Sequence, residues 1–248
     1  MNRQQLLDYT AQLLQVESFK DYCPNGLQVQ GCADIKKIVT GVTASMALLK
    51  AAQSVNADAI LVHHGYFWRN ENPCLVGIKQ QRLKFLLEND LNLIAYHLPL
   101  DAHPELGNNI QLAQHLGITL ENWSGSPAII ACGTLPEPIL LSDFCTNITL
   151  KLNRAPLLLG DAKKIVKRIA WCTGAAQNYF EDAIALGVDV FISGEVSEQT
   201  YHLAQESGVA YVACGHHATE RYGIQALGEH LAKKFALEHT FIDIDNPV

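Results

Sequence analysis

Histidines and carboxylates recur in this chain at the ends of apolar runs. His63-His64 closes the run ADAILV. His97 closes LNLIAY, and Asp101 stands four residues on. His216-His217 follows VAYVACG, and Glu220 stands four residues after His216. Neighbouring side chains on a regular strand point to opposite faces, so His63 and His64 do not readily share one ion. At a strand end, where the chain turns at Gly65, they can serve two adjacent ions. A four-residue gap puts His216 and Glu220 on one face of any helix begun by ATERYG, about 5–6 Å apart at Cβ. Three imidazoles with two carboxylates suit divalent Zn, Fe, Mn or Co better than Ca or Mg alone. Two such ions about 3.5–4 Å apart are a known hydrolytic arrangement.

The elements that must position these residues are legible as a pattern. KIVTGVT, ADAILVHH and LNLIAYH read as strands, alternating with the helical runs ASMALLKAAQSV, KQQRLKFLLEND and NNIQLAQHLG. RIAWCTG, VDVFISG and VAYVACG repeat the alternation, with QNYFEDAIALG, SEQTYHLAQESG and ATERYGIQALGEHLAKKF as helices. Near-continuous apolar strands between helices predict an α/β fold with mainly parallel sheets covered on both faces. Ligand sites in such sheets lie beyond the carboxyl ends of the strands, where all three groups fall.

The two halves echo each other. Ala57-Asp58-Ala59-Ile60-Leu61-Val62 aligns with Val188-Asp189-Val190-Phe191-Ile192-Ser193, and His97-x-x-x-Asp101 with His216-x-x-x-Glu220. The stretch NWSGSPAIIACGTLPEPI has no helical period and reads as the junction of two similar domains, 1–125 and 126–248. The closing strand, in FIDIDNPV, is free to pack on either. DYCPNGLQVQGCA reads as a loop leading to the first strand of the repeat.

Composition narrows the function classes. The chain has 248 residues, 48% hydrophobic and 17% charged, with 18 basic and 25 acidic side chains and a net charge of −7. That balance excludes global disorder and speaks against non-specific duplex binding, which needs a positive surface. No apolar run reaches membrane length, and the start, an amphipathic helix pattern, has neither the apolar core nor the cleavage site of a signal peptide. Seven cysteines without a Cys-x-x-Cys pair point to reduced thiols and a cytoplasmic protein. No phosphate-cradling Gly-rich motif is present. An anionic group would be met by metals, helix N-termini or basic residues such as Arg69, Arg82 and Arg221.

HHGYFW, HLPLDAHPELGNN, ISGEVSEQT and GHHATERYG, with DYCPNGLQV near the start and FIDIDNPV at the end, carry a resemblance over nearly the whole chain. The sequence resembles the dinuclear-metal-centre family of NGG-one-interacting-factor-three-like proteins, also called GTP cyclohydrolase type-two homologues, in their short bacterial form. That resemblance implies two similar α/β domains with two metals in the cleft between them. Its ligands carry over to His63, His64, Asp101, His216 and Glu220. His97 becomes a nearby residue, either a further ligand or a group that orients Asp101. His217 is expected in the cavity wall, and Gln199 takes a place where longer members have a histidine. Glu195 reads either as a general base beside a metal-bound water or as a helix N-terminal acid. Tyr66, Phe67 and Trp68 either stack on a base or form a packed interdomain or subunit contact.

Three functions compete on these grounds. The resemblance implies a metal-dependent hydrolase acting on a small-molecule substrate, a nucleotide or purine-like compound, by opening a guanine imidazole ring. The alternative is a non-catalytic metal-binding scaffold or regulatory partner. The resemblance also implies a homohexameric ring, a trimer of dimers, which would thread nucleic acid only with a basic inner wall; the net charge of −7 argues against that. Neither membrane nor nucleic acid is expected as a partner.

Overall fold

A computed structural model of the chain describes residues 1–125 and 128–248. It divides into two compact units, Met1–Gly107 with Gly223–Asp245, and Asn108–Tyr222 with Asn246–Val248. The chain thus changes unit at 107/108, 222/223 and 245/246, with no crossing near residue 125.

The first unit begins with α1 (Arg3–Leu13), capped by the Asn2 side chain. β1 (Gly26–Val29) follows, then β2 (Lys37–Thr43), α2 (Met46–Ser54), β3 (Ala59–His64), α3 (Gly77–Glu88), β4 (Asn92–Ala95) and the single turn α4 (Leu98–Asp101). β1 lies in the segment read as a loop. It is a short strand that pairs antiparallel with β4, and its four residues are too few for periodicity to reveal. The Ser45 hydroxyl caps α2 by accepting the Leu48 N–H, while Leu48, Leu49 and Ala52 turn into the core.

The second unit opens with α5 (Asn108–Leu116), followed by β5 (Thr119–Ser124), β6 (Ile130–Leu140), α6 (Leu141–Leu152), β7 (Leu157–Leu159) and β8 (Ile165–Cys172). The repeat then runs α7 (Phe180–Ala185), β9 (Val190–Ser193), α8 (Glu198–Ser207), β10 (Ala210–Ala213) and the single turn α9 (His216–Thr219). The segment read as a domain junction, apart from Ser126 and Pro127, which lie outside the described residues, is the antiparallel pair β5–β6 of this unit. Pro136 and Pro138 lie beyond Thr134, where β5 pairing stops, and within the irregular stretch between Thr134 and Ile139 against β8. Prolines lack the ladder N–H, so such a stretch is where a strand tolerates them. The sheet order is β5-β6-β8-β9-β10-β7, with a parallel centre β8-β9-β10 and antiparallel partners outside it. Trp171, Ile169, Val190, Ile192 and Val212 form the middle of its core.

The chain returns to the first unit with α10 (Arg221–Phe235) and β11 (Glu238–Phe241). β11 pairs parallel with β2, which completes the sheet order β1-β4-β3-β2-β11. Ile224, Leu227 and Leu231 of α10 bury against Leu6, Ile38 and Leu61.

The internal echo is structural. Asp58 Oδ2 accepts the backbone N–H groups of Lys36 and Lys37 (2.7 and 2.9 Å), and Asp189 Oδ2 those of Lys167 and Arg168 (2.9 and 2.8 Å). Each aspartate ties the start of one parallel strand to the start of the next. The same register corrects one alignment. The Val62 carbonyl accepts the Tyr96 N–H, and the Ser193 carbonyl accepts the Cys214 N–H. Counting on, Leu98 corresponds to His216 and Asp101 to Thr219. His97-x-x-x-Asp101 and His216-x-x-x-Glu220 are therefore offset by one residue, since the strand ladder and not the four-residue spacing fixes equivalence.

Among the described residues no helix is long and apolar enough to cross a membrane. Among the described residues none of the seven cysteines is in a disulfide.

Candidate metal centre

In the first unit, His63 and His64 end β3, and His97 follows β4 directly. One ring nitrogen from each of these three histidines lies within 4.8 Å of the others. Ring centroids stand 4.6 Å apart for His63 and His64, 5.1 Å for His63 and His97, and 5.8 Å for His64 and His97. His63 is fully buried, and its Nδ1–H donates to the Tyr96 carbonyl (2.9 Å). A carbonyl only accepts, so His63 Nδ1 carries the proton of this bond. The ring's Nε2 faces Asp101 Oδ1 at 3.5 Å. His64 Nδ1 is hydrogen-bonded to the Thr43 hydroxyl (3.2 Å).

His97 does not orient the Asp101 side chain. Its Nδ1–H donates to Asp21 Oδ1 (2.7 Å), and only its backbone carbonyl reaches Asp101, through the N–H that closes α4. Asp21 also accepts the N–H groups of Tyr22 and Leu98 and the Asn25 amide. Burial alone would raise the Asp21 carboxyl, but His97, Asn25 and Tyr22 outweigh it and bring it down to about 2. Asp21 was missed by sequence reasoning. Its only signal was its place in the turn-rich DYCPNG segment.

The aromatic run after His64 splits. Tyr66 is buried, with its hydroxyl donating to the Ala44 carbonyl (2.7 Å), and Phe67 packs on the same core, so these two side chains belong to the first unit's own interior rather than to an interdomain or subunit contact. Trp68 instead places its ring edge-on to His97, 5.0 Å between centroids. Arg69 donates to the Asp21 carbonyl and lies over the Tyr22 ring. Arg82 stacks over Tyr66.

In the second unit, His216 opens α9 and Glu220 ends it. His216 Nε2 meets Glu220 Oε2 at 3.1 Å, and its Nδ1 meets Glu195 Oε1 at 2.7 Å. Burial would lower the imidazole, but Glu220 and Glu195 together push it up to about 9. Glu195, one of the two candidate catalytic residues, holds the ring of His216 through this contact. The pair has room because Gly174 (φ 69°) and Gly194 carry no side chains. A Cβ on Gly174 would collide with Glu220 Oε1, and one on Gly194 would come within 2.7 Å of the Gly174 carbonyl and of His216 Cα. His217 is buried, and its N–H donates to the Val248 main-chain oxygen. Gln199 is exposed on the first turn of α8. Arg221 donates to the Leu152 carbonyl.

The remaining five histidines have partners of their own: His103 with the Glu105 and Leu106 N–H groups, His115 with the Tyr222 ring, His202 with Glu198, His230 with Tyr9 and His239 with Thr40. These are packing and surface contacts. The donor chemistry of the two clusters, imidazole nitrogens beside carboxylate oxygens with the far ring nitrogen tied down, fits a transition-metal cation.

Two α/β units built on one repeat, each bearing a histidine–carboxylate cluster at its strand ends, define a protein with clusters that could hold metal ions. Comparison with known families then places the chain: it belongs to the Duf34/NIF3 (NGG1p interacting factor 3) family, whose match covers residues 1–247. A protein of Pseudomonas aeruginosa named GTP cyclohydrolase 1 type 2 homolog is 56% identical over 245 residues, 98% of this chain and 97% of that protein. A protein of the same name from Vibrio cholerae is 52% identical over the full length of both. The solved structure of protein ybgI, described as of unknown function, superposes with a TM-score of 0.96 at 49% identity over all of both chains.

Proposed function

We propose that this protein is a metal-dependent hydrolase. His63, His64 and Asp101 from the first unit and His216 and Glu220 from the second would hold two divalent cations of the Zn, Fe, Mn or Co class. Its substrate is a nucleotide or purine-like compound, opened in a reaction of the GTP cyclohydrolase type, as the names of the relatives suggest. One observation carries the reading. His63 and His216 share a wiring: Nδ1 bonds an outer acceptor, the Tyr96 carbonyl or Glu195, while Nε2 faces a carboxylate, Asp101 or Glu220. Imidazoles so held are oriented for ligation. The cations, when bound, supply Lewis acidity that brings the deprotonation of water close to neutral pH. The chain's own groups do the rest. Tyr96 and Glu195 fix the ligating rings, Trp68 walls the histidine cluster of the first unit, and Arg69 is the exposed basic residue beside Asp21 that can meet an anionic group. The same reading includes a cytoplasmic homohexamer, a trimer of dimers.

The test is elemental analysis of as-isolated protein, followed by incubation with GTP and a nucleotide panel after reloading with Mn, Fe or Zn. Two cations per chain and turnover that vanishes in Asp101→Ala are expected. Two cations without turnover under any loading would overturn catalysis and leave the metal-binding scaffold. No cations would overturn both.

A further inference from the structure

The residues on both sides of His216 are held by groups from outside its own turn. We infer that Asn246–Val248, locked in place by Arg154, caps the turn α9 and thereby positions His216 between Glu195 and Glu220. The inference rests on the reading above only for the cation that His216 would meet.

The turn α9 spans only His216–Thr219, and its N-cap is Gly215, which has no side chain to offer. The first N–H groups of any helical turn need acceptors from outside it. Here one comes from far along the chain: the His217 N–H donates to the Val248 main-chain oxygen (3.0 Å). The other end of the turn has a support of its own. The Thr219 hydroxyl accepts the Gly174 N–H (3.1 Å) and donates to the His216 carbonyl (2.9 Å). The cap at the His217 end is therefore the part that Asn246–Val248 supplies.

Two side chains hold that segment. The Asn246 side-chain oxygen accepts the Val248 N–H (3.0 Å), which folds the segment on itself. The Arg154 guanidinium donates to the Pro247 carbonyl. The same side chain lies against Gly215. A Cβ on Gly215 would run into Arg154, and at φ 96° a side chain would be strained in any case. Arg154 thus touches the residue before His216 and grips the segment that bonds the residue after it. Arg154 itself stands on a fixed base. Asn153 ends α6 in the left-handed conformation (φ 52°), which asparagine tolerates, and the Arg154 N–H returns to the Thr149 carbonyl (3.3 Å). Asn246, Pro247 and Val248 are all exposed, so the segment contributes hydrogen bonds and not buried area. Every group named belongs to the second unit, although the segment follows β11 of the first. The last three residues of the FIDIDNPV motif, which no strand uses, thereby acquire a task.

The experiment compares the full chain with two variants, one lacking residues 246–248 and one carrying Arg154→Gln, by amide hydrogen exchange on cation-free protein. Exchange of the His217 N–H is expected to accelerate by about 2–30-fold in both, the equivalent of losing one helix cap, while Val190–Ser193 of β9 stay as slow as before. Combining the two changes should add little to either, because they break one device. Arg154→Lys keeps the charge and a donor and should restore part of the protection, which also covers the case of a deletion variant that does not fold. Titration with Co(II) reads the consequence. Both variants should bind it about 10–100-fold more weakly, as loss of an outer-shell partner does, with no further loss when His216→Ala is already present. Unchanged exchange at His217 in both variants overturns the inference. So does acceleration shared equally by β9, which would be general loosening, and so does faster exchange at His217 with an unchanged Co(II) affinity. If the unsubstituted protein takes up no Co(II), the reading above falls, and hydrogen exchange alone decides this inference.

Discussion

Set side by side, the two units share a scaffold and differ at almost every position that bears chemistry. Asp58 and Asp189 make the same pair of backbone hydrogen bonds, and an antiparallel edge strand flanks each parallel core, β1 on β4 and β7 on β10. Counting from those aspartates, His63-His64 of the first unit falls on Gly194-Glu195 of the second. His97 falls on Gly215, and Thr43, which bonds His64, falls on Gly174, which leaves space for Glu220. A repeat can thus copy the frame while the ligands are chosen independently in each copy. The strand ends are fixed by the ladder, and what stands there is free to vary. One copy supplies clustered imidazoles, the other a single imidazole gripped between two carboxylates.

The sharpest way to break this comparison is at the Thr43/Gly174 position. Gly174→Ala forces a side chain onto a backbone at φ 69° and into Glu220. It should destabilise the protein by about 1–3 kcal/mol and disrupt the His216–Glu220 pair. Thr43→Ala removes one hydrogen bond and should cost about 0.5–1.5 kcal/mol. Chemical denaturation measures both, and equal costs would show that the two positions are not specialised as described.

The shared frame makes the next prediction. Asp58→Ala and Asp189→Ala each remove an acceptor for two backbone N–H groups, so each should cost about 1–3 kcal/mol, and by similar amounts. A difference of more than about twofold in urea titration would mean that the echo is one of shape and not of energetics.

The smallest effect is in pH. In cation-free protein, burial opposes charging of His216, but Glu220 and then Glu195 raise its pKa to about 9. A folded pKa above the unfolded value near 6.5 stabilises the protein fully below pH 6.5. That contribution fades as the pH climbs through 9. Melting temperature in chelator should therefore fall between pH 6.5 and 9, and fall less in Glu195→Gln. Parallel profiles for the two proteins would remove Glu195 from the role given to it.

Much of this was legible in the sequence because the strands are short apolar runs and the histidines end them. His63, His64 and the βα alternation need only local pattern. Asp21 was illegible because it reaches His97 across 76 positions from a turn-rich segment, and no period links them. Glu195 was visible as a carboxylate at a strand end, but its service to His216 needs the register of β9 against β10. The residue-by-residue echo of the two His-x-x-x-acid motifs was misleading. Four-residue spacing matches in both, and only the hydrogen-bonded ladder reveals the one-residue offset.

The passage of the chain from the first unit to the second and back has a consequence for synthesis. Residues 108–222 leave the ribosome as an almost uninterrupted block, so the second unit's sheet can assemble while the tail is still being made. The first unit begun at the N-terminus must wait for α10 to cover its greasy underside and for β11 to hydrogen-bond along β2. The part begun first therefore stays open until nearly the whole chain has been made. A ribosome stalled before residue 238 should display a sticky, half-clad β2 edge to chaperones.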